Sequence, residues 1–198
     1  MKNFALLFCL FSFSFTLMAK EVPALLPVVD QAGLLSRQVR TQLTNALIAI
    51  KRQTGNEIAV LTVASLEGES IEGYSIKVTD KWKLGSKDKD NGVLFLISIN
   101  DRKMRIEVGQ GLEGDLPDAR AGQIIRAIGP YFKKGEYKSG IILGVSQMSE
   151  NIGVKLKNAP RVRNRRSGKK YSGLLFLIII ILSFIFRGRG GGGLMSGL

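Results

Sequence analysis

Apolar residues recur along the chain at two periods, and the periods separate strands from helices. Glu57 to Val63 carries Ile58, Val60 and Leu61 in a short run, and Val93-Leu94-Phe95-Leu96-Ile97 has no polar residue at all. Runs of this length rich in β-formers predict strands covered on both faces. Lys103 to Val108 instead alternates Met104, Ile106 and Val108 with Lys103, Arg105 and Glu107, a strand with one dry and one wet face. The polar turn Asn100-Asp101-Arg102 joins it to the preceding strand as a hairpin.

Helical spacing fills the gaps between these strands. After Ser36, a good N-cap, Val39, Leu43, Ala46, Leu47 and Ile50 lie on one face, and Thr54-Gly55 stops the helix. Ile71, Tyr74, Val78 and Trp82 mark a second helix from about Ser70 to Lys83, ended by Gly85. Asp118 is expected to cap a third, with Ala121, Ile124, Ile125 and Ile128 inward and Gly129-Pro130 as its end. Ile141, Val145, Met148 and Ile152 place a fourth over about Tyr137 to Ile152. Pro23 to Pro27 reads as an extended lead-in, from which Val28-Val29-Asp30 enters the turn Gln31-Ala32-Gly33. The order predicts an α/β, three-layer domain: a small mixed β-sheet covered by helices on both faces.

Two apolar runs flank this domain. Residues 1–19 read as a signal peptide: a basic start, an apolar stretch from Phe4 to Leu17, and a cut after Ala19. Leu174 to Phe186 is interrupted only by Ser183, and 171–186 reads as a C-terminal transmembrane helix, short against the ~20 residues a full span wants. Residues 155–170 form a basic linker before it, and 187–198 a glycine-rich tail. The expected location is the inner (cell) membrane, single-pass, with the domain on the periplasmic or extracellular side. The linker carries more positive charge than Arg187 and Arg189 beyond the span, which runs against the positive-inside rule; the leading signal takes precedence.

Charge then changes one reading. The chain carries a net +13, a value that suggests nucleic acid. All 16 acidic residues, however, lie between Glu21 and Val154, nearly balanced by Lys and Arg there, and the excess sits in the linker and tail. That distribution fits anionic lipid headgroups better than nucleic acid. Cys9, the lone cysteine, falls in the leader, and there is no histidine. Disulfides, thiolate metal sites and Ser-His or Cys-His catalysis are therefore excluded for the mature chain.

The loop after the hairpin carries the candidate chemistry. Gly109-x-Gly111-x-x-Gly114 matches the dinucleotide pattern, yet Glu113, Asp115 and Asp118 would repel a pyrophosphate, and the helix starts past the third glycine. The same acids suit a hard cation, which takes six to eight oxygens from carboxylates and carbonyls. Asp30 and Asp90-Asn91 would complete such a site if they reach the same sheet edge. Each acid also has a plain structural role available: Asp118 as a cap, Asp30 as a brace for its turn.

The chain resembles the TPM domain family. The resemblance rests on PVVDQAGLLS at Pro27–Ser36, TGNEIAVLTVASLEGESIEGYS at Thr54–Ser75, KWKLGSKDKDNGVLFLIS at Lys81–Ser98, RIEVGQGLEGDLPDA at Arg105–Ala119 and KKGEYKSGI at Lys133–Ile141, and it spans residues 22–154. It implies an α/β fold of the kind read above. It also implies Ca²⁺ as a cofactor, with Asp30, Asn91, Gly111, Glu113 and Asp118 in the motif blocks. Relatives include photosystem II repair proteins, so the resemblance implies an accessory factor in membrane-protein assembly, repair or quality control, with a protein partner in the membrane. Other relatives are acid phosphatases, which implies a metal-assisted phosphomonoester hydrolase as the alternative, with Asp30 or Asp118 as its carboxylate.

Overall fold

A computed structural model describes residues 20–156. The order of elements is β1 (Val28–Asp30), α1 (Arg37–Thr54), β2 (Glu57–Val63), α2 (Ile71–Trp82), β3 (Gly92–Ser98), β4 (Lys103–Val108), a 3₁₀ turn (Gln110–Leu112), α3 (Asp118–Lys133) and α4 (Tyr137–Asn151). The expected signal peptide, the transmembrane run, the glycine-rich tail and nearly all of the basic linker lie outside the described residues. Among the described residues, no helix is long and apolar enough to cross a membrane.

The four strands form one sheet in the order β1-β2-β3-β4. β1, β2 and β3 are parallel, with Val28 opposite Val60 and Val60 opposite Phe95; β4 returns antiparallel, with Val93 opposite Val108. β2 and β3 are central and covered on both faces, which is why their sequences are continuous apolar runs rather than alternations. On one face, Val28, Ile58, Val60, Val93, Phe95, Ile97 and Ile106 pack with Leu43, Leu47 and Ile50 of α1, Ile124 and Ile128 of α3, and Ile141, Val145 and Met148 of α4. On the other, Ala59, Leu61, Val63, Leu94 and Leu96 pack with Ile71, Tyr74, Val78 and Trp82 of α2. Three layers result, as expected.

Since β1, β2 and β3 are parallel neighbours in chain order while α1 and α2 lie on opposite faces, the two crossovers have opposite hand. Right-handed crossovers are the rule in parallel sheets, so one of these is an exception.

Local signals place the helix ends. Ser36 and Ser70 accept hydrogen bonds from Val39 and Gly73 N–H as N-caps, and Gly55 closes α1 at φ 79°. Lys83, itself left-handed at φ 50°, closes α2 ahead of Gly85. Two ends differ from expectation. The N-cap of α3 is Pro117, with no side-chain cap, and Asp118 is the first residue of the helix. There the carboxylate faces the positive end of the helix dipole. α3 also runs through Pro130 to Lys133. Proline removes one hydrogen bond, to the Arg126 carbonyl, but Arg126 and Pro130 are exposed, where water can take it. Ile128, together with Phe132 packed beside it, anchors that last turn to the core.

Candidate functional site

The hairpin decides where the glycine-rich loop goes. β4 runs back along β3, so the chain leaves the sheet at Val108 beside the beginning of β3, and the loop folds over the turn that leads into that strand. Gly109 N–H donates to Gly92 C=O at 2.8 Å, Gly111 N–H to Asp90 C=O at 3.0 Å, and Gln110 N–H to the Asp90 carboxylate at 2.9 Å. The two backbones are nearly in contact. A Cβ at Gly109 would lie 2.2 Å from the Asp90 carbonyl oxygen, and one at Gly111 would lie 1.8 Å from that of Lys89; at Gly114 nothing lies within 4 Å. Close approach of two chain segments thus accounts for the first two glycines. Buried Leu112 and Leu116 pin the loop to the core.

Asn91 holds the turn from below. It is 4% exposed; its Oδ1 accepts from Ser86 N–H at 2.8 Å, and its Nδ2 donates to Gly55 C=O and Asn56 Oδ1, each at 3.0 Å. One amide therefore ties the β3 turn to the end of α1. Glu57 adds a second tie, accepting from Gly85 N–H at 3.0 Å while pairing with Lys51 at 2.7 Å.

An open cleft of about 890 Å³ lies where this turn, the end of α2 and the end of β4 meet. Asp80, Asp90, Glu107, Lys83 and Lys87 line it, together with Thr79, Ser86 and Gly109. Glu107 is held from two sides: Arg105 Nε donates to it at 2.5 Å and Ser75 Oγ at 2.7 Å. Burial pushes the Glu107 carboxyl up, but the hydrogen bond and charge of Arg105, with the bond from Ser75, outweigh it and leave the group below its usual value. The Glu107 hydrogen bond, more than the nearby charges of Glu72 and Asp118, pushes the Arg105 guanidinium up.

The sequence-derived candidates do not all gather here. Gly111, Glu113 and Asp118 lie on the loop and at the start of α3, with Asn91 beneath; Glu113, Asp115 and Asp118 are exposed. Asp30 is elsewhere. It ends β1 opposite Thr62, the residue level with Ile97 on β3, while the loop sits level with Val93. That is ~13 Å along the strands, at the opposite edge of the sheet. Both Asp30 oxygens are engaged: Thr62 Oγ1 donates to Oδ1 at 2.5 Å, Leu34 N–H to Oδ1 at 3.0 Å, and Leu35 N–H to Oδ2 at 2.9 Å. The five-residue cation set therefore does not converge as a set. Among the described residues, no three or more His, Cys, Asp or Glu are grouped to hold a metal ion. Asp90 does reach the loop, but its carboxylate receives the Gln110 N–H. Glu107, Lys83 and Lys87 were not among the candidates. Glu107 was visible only as part of the wet face of β4; its partner Ser75 comes from α2, across the fold.

A family profile described as TPM domain matches residues 28–151. Among solved structures, the chain is similar to the N-terminal domain of a protein from P. gingivalis, at 32% identity and TM-score 0.60, over 68% of this chain and 87% of that one. It is also similar in fold to the BA42 protein of the psychrophilic bacterium Bizionia argentinensis, at 21% identity and TM-score 0.52, over 62% and 86%. No curated protein matches the chain.

Proposed function

The chain belongs to the TPM domain family, and from that premise we propose that it is a membrane-held binding module on the extracytoplasmic side, an accessory factor in membrane-protein assembly, repair or quality control. The observation that carries the reading is the cleft between α2 and the β4 loop. It is open, it presents both signs of charge, and two of its carboxylates, Asp90 and Glu107, are acceptors in fixed contacts. Glu107, paired with Arg105 and kept ionised, is suited to holding a cationic or donor group and ill suited to giving up a proton. Lys83 and Lys87, which also line the cleft, offer the complementary charge. Such a surface fits an exposed polar segment of a protein client.

The geometry favours this over hydrolysis. Of the two carboxylates open to a phosphatase, Asp30 already accepts three hydrogen bonds as the brace of its own turn, and Asp118, at the other end of the sheet, would have to act without it. No cation is required by the proposal. The membrane attachment rests on the sequence alone: the leader over residues 1–19, the apolar run over 171–186, and the basic linker, whose charge suits anionic headgroups.

Calorimetric titration of the full chain in detergent with Ca²⁺ and Mg²⁺, followed by an aryl-phosphate assay on the same sample, tests the reading. The proposal expects no turnover with either ion. Turnover that disappears in Asp118→Asn would replace it with the phosphatase reading. Cation binding lost in Asp118→Asn but kept in Asp30→Asn would put an ion on the loop without Asp30.

A further inference from the structure

The lead-in before β1 is held by donors and acceptors that α2 and the turn ahead of it supply. Tyr74 Oη donates to the Glu21 carbonyl at 3.0 Å, Lys81 Nζ to the Val22 carbonyl at 2.7 Å, and Trp82 Nε1 to the Pro23 carbonyl at 2.8 Å. All three contacts are to backbone oxygens, so these donors grip the strap along its main chain. Val22 is buried in the α2 side of the core. At the head of the strap the polarity of the contacts inverts: Lys20 N–H donates to Glu69 Oε1 at 2.9 Å, and Lys20 Nζ to Glu67 Oε1 at 2.6 Å. Glu67 adopts φ 56°, a left-handed conformation that a glutamate rarely takes.

Lys20 is also the residue that follows the expected leader cut at Ala19. On the export reading above, we infer that Glu69, beside a Glu67 that holds the Lys20 ε-ammonium, forms a socket for the α-ammonium group that leader removal creates on Lys20. The peptide N–H in the socket would become an ammonium facing the same carboxylate, and a charge-assisted bond is roughly twice as strong as a neutral one. Removal of the leader would therefore tighten the strap onto α2 at the moment the chain is freed.

The surroundings favour an added positive charge. Glu69 is already below its usual value, first through its hydrogen bond from Lys77 and then through the Lys20 N–H. Burial and the charges of Glu69 and Glu67 push the Tyr74 hydroxyl up to about 12, so the phenol stays neutral as a donor. The charged and titratable groups facing the terminus are Glu69, Glu67, Lys77 on Glu69, the ε-ammonium of Lys20 itself on Glu67, Tyr74, and Glu21 next in the chain. Lys77 on Glu69 and the Lys20 ε-ammonium on Glu67 match the two glutamates in number, so the preference for a charged terminus rests on its direct 2.9 Å contact with Glu69. The direct contact with Glu69 favours the charged amine in the folded chain, so the socket predicts a terminus that titrates above the ordinary ~8 of an α-amine. Its stabilisation is then complete below about pH 8 and is lost as pH rises through the higher folded value.

The test compares the full chain beginning at Lys20, released from a fusion with its amine free, with an Nα-acetylated copy, both in detergent. The free form should melt about 2–4 °C higher at pH 7, and the gap should close by about pH 10 as the amine deprotonates. Glu69→Gln should abolish the gap at pH 7, while Glu113→Gln, on the distant loop, should preserve it. Equal melting of free and acetylated chains at pH 7 would overturn the socket. The first residue of the protein recovered from exporting cells is read separately: Lys20 supports the leader cut on which the inference rests, and any other terminus overturns that premise whatever the melting comparison gives.

Discussion

Gly111→Ala is the sharpest probe of how the loop and the β3 turn are fitted together. The added methyl would sit 1.8 Å from the Lys89 carbonyl oxygen and 3.2 Å from that of Asp90. Neither neighbour is a flexible side-chain end, so the two segments must part by more than an ångström. That movement breaks the Gly111 N–H bond to the Asp90 carbonyl and the Gln110 N–H bond to the Asp90 carboxylate. Losing a neutral bond of ~1 kcal/mol and a charged one of ~2 kcal/mol gives a destabilisation of about 3 kcal/mol. For a domain of this size that is a fall of roughly 10 °C in melting temperature. Gly114→Ala is the internal control, because nothing lies within 4 Å of its Cβ position. Thermal unfolding followed by circular dichroism measures both. If Gly111→Ala melts within about 2 °C of Gly114→Ala, the close approach is not what the glycine is for, and the reasoning fails.

Three other changes follow from the same contacts. Asn91→Ala removes three hydrogen bonds from a buried amide and should cost about 3 kcal/mol, read as a lower urea midpoint. Asp30→Ala strips a brace with three donors and should lower stability by about 2 kcal/mol, while leaving client crosslinking at the cleft unchanged, since Asp30 lies at the far end of the sheet. Glu107 is depressed in the folded state, so the stability it contributes is present above its unfolded value of about 4.5 and is lost as pH falls through the lower folded value. Arg105→Leu should flatten the part of the acid-unfolding curve that lies below the unfolded value of about 4.5, and an unchanged curve would show that the pair does not hold the group.

Much of the architecture was legible because the period of the apolar residues is set by burial. The doubly covered β2 and β3, the one-sided β4 and the stripes on four helices each announce themselves in this way. Three features did not. β1 is only three residues long, too short to show a period, and is fixed by its pairing to Val60–Thr62. Pro130 suggested an end to α3, but packing of the last turn overrides the local rule. The opposite hands of the two crossovers could not be read at all, since a strand buried on both faces does not say which helix covers which face.

The site was legible in its parts and not in its assembly. The hairpin sends the loop after Val108 back to the beginning of β3, whereas Asp30 ends a strand parallel to β3 and so lies at the other end. Both facts turn on strand direction, which composition and spacing of acids do not contain. Asp90, by contrast, meets the condition set for it and reaches the loop, but as a brace for Gln110. The cleft itself is made by Thr79, Asp80 and Lys83 of the α2 region meeting Glu107, which buried Ser75 holds from behind, a pairing that only the tertiary fold creates.

The central claim is that this cleft engages a client segment. Its most direct test is site-specific photocrosslinking in intact membranes, with a photoreactive residue at Ser86 in the cleft and, as control, at Gln53 on the exposed side of α1. The account predicts discrete adducts to membrane proteins from Ser86, weakened when Lys83 and Lys87 are both changed to Glu, and none of these from Gln53. Adducts that form equally from both positions, or that ignore the charge reversal, would contradict it.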